Sequence, residues 1–237
     1  MILVRSLAFT LFFYLWSLIM CLVLLPALVG PRSWLTLGLK VWSAATLWGL
    51  RVICDVKVEF RGLENLPEGA ALIAAKHQCM LDTIAPFTVF RDGCIVLKKE
   101  LTRIPFYGWY AVRGKMIVVD REAQAAALRK LVTDSRARMA EQRQLMIFPE
   151  GHRMEPGAPP DYKPGVAALY RDLDIPCVPV ATNSGVHWPA HGIIRRPGTV
   201  VVEFLKPIPA GLKRAAFMAE LQTRIETASN ALLEAGV

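Results

Sequence analysis

His77 and Asp82 are separated by four residues in the stretch Lys-His-Gln-Cys-Met-Leu-Asp-Thr that begins at Lys76. On one continuous helix a five-residue step turns about 500°, leaving the two side chains roughly 140° apart. Across a strand-to-helix turn they can meet. A carboxylate on one ring nitrogen fixes the imidazole tautomer and leaves the other nitrogen to take a proton. No serine or cysteine is placed by the sequence as a covalent nucleophile. The simplest chemistry is then a base that activates the substrate's own hydroxyl. A hydrogen-bonded structural histidine beside a helix-start aspartate is the competing account of the same spacing.

The surrounding elements must supply that turn. The apolar run Ala-Leu-Ile-Ala-Ala at 71–75 reads as a buried strand, and residues 83–89 read as a helix. Further strands are expected over 56–60, 94–97, 116–119, 144–148, 177–181 and 199–204. Helices are expected over 122–142, 166–172 and 212–235. The first of these has Leu128, Leu131 and Met139 on one side and many arginines on the other. Strands alternating with helices imply an α/β fold, with a mixed, largely parallel sheet flanked by helices. Ligand sites then belong at the carboxyl ends of strands, where His77, Lys98, Arg153 and Asn183 all fall.

Before this body lies an almost unbroken apolar stretch, residues 7–29, which as a helix would be about 35 Å long against a hydrocarbon core of roughly 30 Å. Gly30-Pro31-Arg32-Ser33 makes a turn. A second segment, 34–53, carries Trp34, Trp42 and Trp48 with Lys40 at its middle, a composition that suits an interfacial helix. The expected domains are therefore a membrane-associated two-helix hairpin over 1–55 and a catalytic body over 56–237 that folds without it. A simple one-pass anchor is the alternative. A net charge of +8 with 54% hydrophobic residues points to an anionic membrane surface or a phosphorylated substrate. Zinc-finger spacing and an isolated basic helix are both missing, so nucleic acid is not expected as a partner. The five cysteines are scattered and odd in number, and read as buried thiols in a reducing compartment.

Five segments, taken in order, resemble the four ordered motifs of the glycerolipid acyltransferases. They are His77-x4-Asp82, Lys98-x-Glu100-Leu101 with Pro105 and Gly108, Gly114 to Arg121, and Phe148-Pro149-Glu150-Gly151-x-Arg153 followed by Val178-Pro179-Val180. The resemblance runs from about residue 60 to 208 and is closest to the bacterial enzymes that act on 1-acyl-glycerol-3-phosphate. It implies transfer of a fatty acyl group from acyl-CoA or acyl carrier protein to the sn-2 hydroxyl of lysophosphatidic acid, giving phosphatidic acid. It implies His77 as general base and Asp82 as the group that orients it. Arg153 and Lys98 would hold the phosphate, with Lys163 and Arg121 as weaker candidates. Glu150 and Gly151 would shape the loop or meet a substrate hydroxyl. The resemblance implies no cofactor and no metal, and a bacterial inner membrane location with the body on the cytoplasmic face. Two positions depart from the pattern: His152 stands where threonine is usual, and Met80 and Leu81 fill the interval before Asp82.

Other readings compete. An acyltransferase of another lysolipid, such as lyso-ornithine lipid, would need no phosphate site. A non-catalytic lipid-binding membrane protein would not need His77, Asp82 and Arg153 together. His187-x-x-x-His191 has helical metal-ligand spacing, but Pro189 intervenes and no glutamate follows His187. Both histidines therefore read as loop residues.

Overall fold

The computed structural model of the chain describes residues 1–120 and 123–235. Among the described residues, seven strands form one sheet: β1 (Val56–Arg61), β2 (Ala71–Ala75), β3 (Gly93–Lys98), β4 (Ile117–Val119), β5 (Gln144–Ile147), β6 (Cys177–Thr182) and β7 (Gly198–Phe204). Their spatial order is β1-β7-β6-β2-β5-β3-β4. Every neighbouring pair is parallel except β6 and β7. The helices are α1 (Ile2–Val23), α2 (Arg32–Cys54), α3 (Tyr107–Arg113), α4 (Gln124–Ala140), α5 (Gly165–Leu173), α6 (Ser184–His187) and α7 (Arg214–Glu234). The mixed, largely parallel α/β sheet is thus the architecture expected from the pattern. The central strands β2, β5 and β6 are buried at every position. That is why they read as continuous apolar runs rather than alternating ones.

Two local expectations are corrected. Residues 83–89 are not one helix. They form two short 3-10 segments, Met80–Thr83 and Ala85–Thr88, parted at Ile84, because Pro86 has no N–H with which to continue an α-helical bond to the Asp82 carbonyl. In α4, Leu131 is buried but Leu128 is 38% exposed, so the apolar side is narrower than its leucines suggest.

The hairpin shares the core of the body. Phe9 and Phe13 of α1 meet the indole of Trp188 edge-on, with ring centroids 5.4 Å and 6.1 Å apart. Phe9, Leu50, Cys54 and Val56 are all buried in one cluster with Ile73, Val180 and Val200. The hairpin thus packs into one core cluster of the body, while a second, around Leu72, Leu145, Leu169 and Phe217, is built by the body alone. Both ends of the hairpin are tied down. At one end the Arg195 backbone amide donates to Ser6 Oγ at 2.8 Å. At the turn, the Arg32 guanidinium reaches both oxygens of Asp92, and Asp92 also accepts from the buried Arg143 at 3.2 Å. The outer face of α1 is a stripe of Leu7, Leu11, Leu15, Leu18 and Leu22, each about half exposed.

Candidate active site

The first turn after β2 is built by Asp82. The chain leaves the sheet at Lys76, whose amide still bonds the Val180 carbonyl of β6 at 2.9 Å. Asp82 lies three residues after Cys79, at the position from which an acidic side chain reaches back to cap the start of a helical turn. Its Oδ2 accepts from the backbone amides of Gln78 at 2.6 Å and Cys79 at 2.8 Å. The same oxygen lies 3.1 Å from His77 Nδ1. An oxygen already receiving two backbone N–H groups is an acceptor, so Nδ1 carries the ring hydrogen and Nε2 is left with its lone pair. The local capping preference and the catalytic geometry are one arrangement, which is why a five-residue interval serves both.

The pair is held from every side. Asp82 is 4% exposed at its side chain and His77 12%. The His77 ring stacks on Phe148 at 4.1 Å between centroids. Asp82 Oδ1 accepts from the buried Ser184 hydroxyl at the start of α6. Gln78 Oε1 accepts from the Gly185 amide at 2.9 Å, fastening the same turn to α6. Burial, and after it the Asp82 carboxylate, push the Cys79 thiol well above the ordinary range. It is therefore not a thiolate nucleophile at neutral pH.

Beneath the pair lies an ionic cluster with no counterpart in the sequence reading. Lys76 is buried, and its Nζ donates to Glu150 Oε1 at 2.7 Å and to both oxygens of Glu226 on α7, at 2.8 and 2.9 Å. Tyr162 donates to Glu226 at 2.9 Å. The other oxygen of Glu150 accepts from the His77 backbone amide at 3.3 Å. Burial pushes the Glu150 carboxyl above its ordinary range, although the Lys76 ammonium opposes this. Glu150 is thus a buried anchor for the His77 backbone. Its side chain is 1% exposed, with both oxygens bonded inside the protein.

The loop after β5 supplies the cations. The Met154 amide donates to the His77 carbonyl at 2.7 Å, so this loop lies directly against the histidine turn. Gly151 has φ +70, a conformation glycine adopts without a side-chain penalty. It lets the chain reverse between buried Glu150 and exposed His152 and Arg153. Arg153 does not pair with Glu150; its Nη1 approaches the Ala190 carbonyl at 3.4 Å and the guanidinium stays exposed. Lys98 is exposed at the end of β3, two strands along from β2. Lys163 is exposed beside Asp161, to which it is ion-paired, and its amide donates to the Pro149 carbonyl at 2.8 Å. Arg121 lies outside the described residues. Asn183, expected at a ligand edge, instead braces the sheet: Oδ1 accepts from Val201 at 2.8 Å and Nδ2 donates to Thr199 at 3.2 Å. His187 is not a loop residue. It is buried at the end of α6, with Nδ1 3.0 Å from the Arg196 carbonyl, while His191 is exposed. Among the described residues, no group of three metal-ligating side chains gathers.

Ser184, His77, the Gly151–Arg153 loop and Lys98 follow one another along the carboxyl edge of β6, β2, β5 and β3. A base held by a carboxylate, beside a cationic loop at that edge, is a site for deprotonating a hydroxyl next to an anionic group. The acyltransferase family model matches residues 57–183. The chain belongs to this family. It is 34% identical to the 1-acyl-sn-glycerol-3-phosphate acyltransferase of Pseudomonas aeruginosa over 185 residues, which are 78% of this chain and 72% of that one. It is 31% identical to the Saccharomyces cerevisiae protein of the same name over 198 residues, covering 78% of this chain and 61% of that one. The crystal structure of the 1-acyl-sn-glycerophosphate (LPA) acyltransferase PlsC from Thermotoga maritima superimposes with a TM-score of 0.81 over 98% of both chains, at 20% identity. That likeness establishes the fold, including the N-terminal helix pair.

Proposed function

We propose that this chain is a 1-acyl-sn-glycerol-3-phosphate acyltransferase working from one leaflet of a membrane. The observation that carries the chemistry is the His77 ring pinned through Nδ1 to Asp82, beside the exposed guanidinium of Arg153. Nε2 takes the proton of the acceptor's sn-2 hydroxyl as that oxygen attacks the thioester carbonyl of acyl-CoA or acyl carrier protein. The carbon–oxygen bond forms and the tetrahedral adduct collapses. The carbon–sulfur bond breaks, and the departing thiolate receives the proton back from Nε2. The Asp82 carboxylate stabilises the imidazolium between these two transfers. No acyl-enzyme forms, so both substrates must be present together. Arg153 grips the phosphate with its planar fork, and Lys98 adds a second charge. Lys163 and Arg121 serve at most as further charge near the acceptor.

The hairpin packing supports a monotopic attachment. Two helices of 22 and 23 residues are each long and apolar enough to cross a membrane. Yet the body is bonded to α1 at Ser6 and again at Cys21, and to the turn at Leu28 and Gly30. A spanning hairpin would carry the attached Arg195, Arg113 and Asp92 into hydrocarbon, at a cost of several kcal/mol for each charge. Lying along the body instead, it offers its leucine stripe to a single leaflet, which we assign to the cytoplasmic face of a bacterial inner membrane.

The decisive experiment is product analysis of purified protein offered 1-acyl-glycerol-3-phosphate, or a lysolipid lacking phosphate, with each thioester donor. Phosphatidic acid from the first acceptor alone is the expected product. Equal turnover of the phosphate-free acceptor would remove the role of Arg153.

A further inference from the structure

A second apolar surface lies on the body itself, outside the hairpin and outside the catalytic edge. In the segment from Ile104 to Val112, Ile104 is 47% exposed, Tyr107 47%, Trp109 51% and Val112 62%. The backbone holds these groups outward at a cost. Phe106 sits at φ 62, ψ −59, a conformation that a bulky residue adopts only under constraint. Gly108 is tucked so close to Thr102 that a Cβ would lie 1.9 Å from its carbonyl oxygen. Phe106 and Trp109 rest against each other, centroids 5.1 Å apart. Trp109 and Val112, three residues apart, share one face of α3. Tyr110 and Arg113, also three apart, share the neighbouring face and are spent on the hairpin. Tyr110 donates to the Cys21 carbonyl, and Arg113 donates to Leu28 at 2.9 Å and to Gly30.

We infer that this segment is a second lipid contact, a wedge that enters the same leaflet as the hairpin and prefers anionic headgroups. Three observations favour a membrane as the occupant. The surface is continuous with the hairpin's outward apolar residues: Leu22 (51% exposed), Val23 (63%) and Val29 (90%) end at the turn that α3 grips. Its composition is tryptophan and tyrosine with aliphatic neighbours, as at a membrane interface. The chain just before it, Lys98 to Arg103, carries exposed Lys98 and Arg103 against one acid, Glu100, with Lys99 paired to Asp120 at 2.7 Å, so a cationic margin borders the apolar tip. A wedge there would bring the Lys98 end of β3 to headgroup level, where a phosphorylated lipid acceptor resides. The inference rests on the membrane reading of the hairpin, and the test separates the two.

The experiment places nitroxide labels on the full-length protein in a Cys21→Ser background, the other cysteines being buried. One label is at Val112→Cys, one at Leu15→Cys on the hairpin stripe and one at exposed Arg171→Cys. Collision with oxygen and with a water-soluble nickel chelate is measured on vesicles of phosphatidylcholine with and without phosphatidylglycerol. The expected result is hydrocarbon-type accessibility at both Leu15 and Val112, aqueous accessibility at Arg171, and deeper insertion of Val112 with phosphatidylglycerol. Leu15 in hydrocarbon with Val112 in water overturns the wedge and leaves the hairpin reading intact. Both sites in water overturn both. Dipolar broadening between Val112 labels identifies a second copy as the occupant and also overturns the proposal. In parallel, Trp109→Ser/Val112→Ser should melt as the wild type does and turn over detergent-dispersed acceptor normally. It should lose at least about tenfold in rate on vesicles at limiting lipid. Equal rates on vesicles would count against the wedge.

Discussion

Asp82→Asn separates charge from geometry at the histidine. An asparagine has one acceptor oxygen and one NH2 group, and the surroundings dictate which goes where. The backbone amides of Gln78 and Cys79 both point at the Oδ2 position, 2.6 and 2.8 Å away, so the amide oxygen must take that place. His77 Nδ1–H then still finds an acceptor at the same spot, and the catalytic tautomer survives. The NH2 group falls where Oδ1 was, facing Ser184, whose hydroxyl can rotate from donor to acceptor. What is lost is the negative charge opposite the imidazolium. Two charges about 4 Å apart are worth about 4 kcal/mol at an effective dielectric near 20, of which the amide dipole recovers part. A loss of about 2–4 kcal/mol in the transition state lowers kcat roughly 30- to 1,000-fold. Stability should fall little, since every hydrogen bond keeps a partner. Adding Ser184→Ala leaves the buried NH2 unpaired and should cost a further 1–3 kcal/mol or so of stability. The assay is phosphatidic acid formation with saturating substrates, alongside 15N spectra of the His77 ring. A variant within about threefold of wild type would show that the charge is not used. A ring found with its hydrogen on Nε2 would refute the claim that the two amides orient residue 82.

Arg153→Ala should raise the KM for 1-acyl-glycerol-3-phosphate by roughly tenfold or more with a smaller change in kcat, because a charge-assisted contact to phosphate is lost; initial-rate kinetics with varied acceptor test this. Lys76→Met leaves Glu150 and Glu226 buried without their cation and should destabilise the fold by about 3–5 kcal/mol, measured by denaturant unfolding; adding Glu226→Gln should recover part of it. Burial alone would raise the Asp92 carboxyl, but Arg32 and Arg143 hold it below its ordinary range. Its contribution is thus present above the unfolded carboxylate pKa, near 3.9, and lost as pH falls through the lower folded value. Asp92→Asn should therefore flatten the acid limb of the stability–pH curve and loosen the hairpin turn. Deleting residues 1–54 uncovers Trp188, Val200 and the rest of their cluster, so the remaining body should aggregate on purification even in detergent that keeps the full chain monodisperse. A soluble, cooperatively melting fragment would show that the hairpin is not part of the core.

The local chemistry was legible because it is local. Asp82 is a capping acid three residues past Cys79, so its reach to the preceding backbone, and hence to His77, is a property of a short piece of chain. The largely apolar runs at 71–75, 144–148 and 177–181 announce central strands because both of their faces are covered. The glycine at 151 marks a reversal that needs positive φ. Tertiary structure decided what depends on residues far apart along the chain. Ser184 reaches Asp82 across 102 positions and Glu226 reaches Lys76 across 150, and neither has a local spacing to betray it. Lys76 left a trace, as a lysine closing an apolar strand, but an unsatisfied charge names no partner. The split of residues 83–89 was written in Pro86, yet it shows only once Asp82 has used the backbone before it. Whether two apolar helices cross a membrane or lie along a body is the clearest case. Length and hydropathy allow both, because they measure the helix against lipid alone. The bonds at Ser6, Cys21, Leu28, Gly30 and Arg32 carry the attachment proposed above, because they measure the helix against the rest of the molecule.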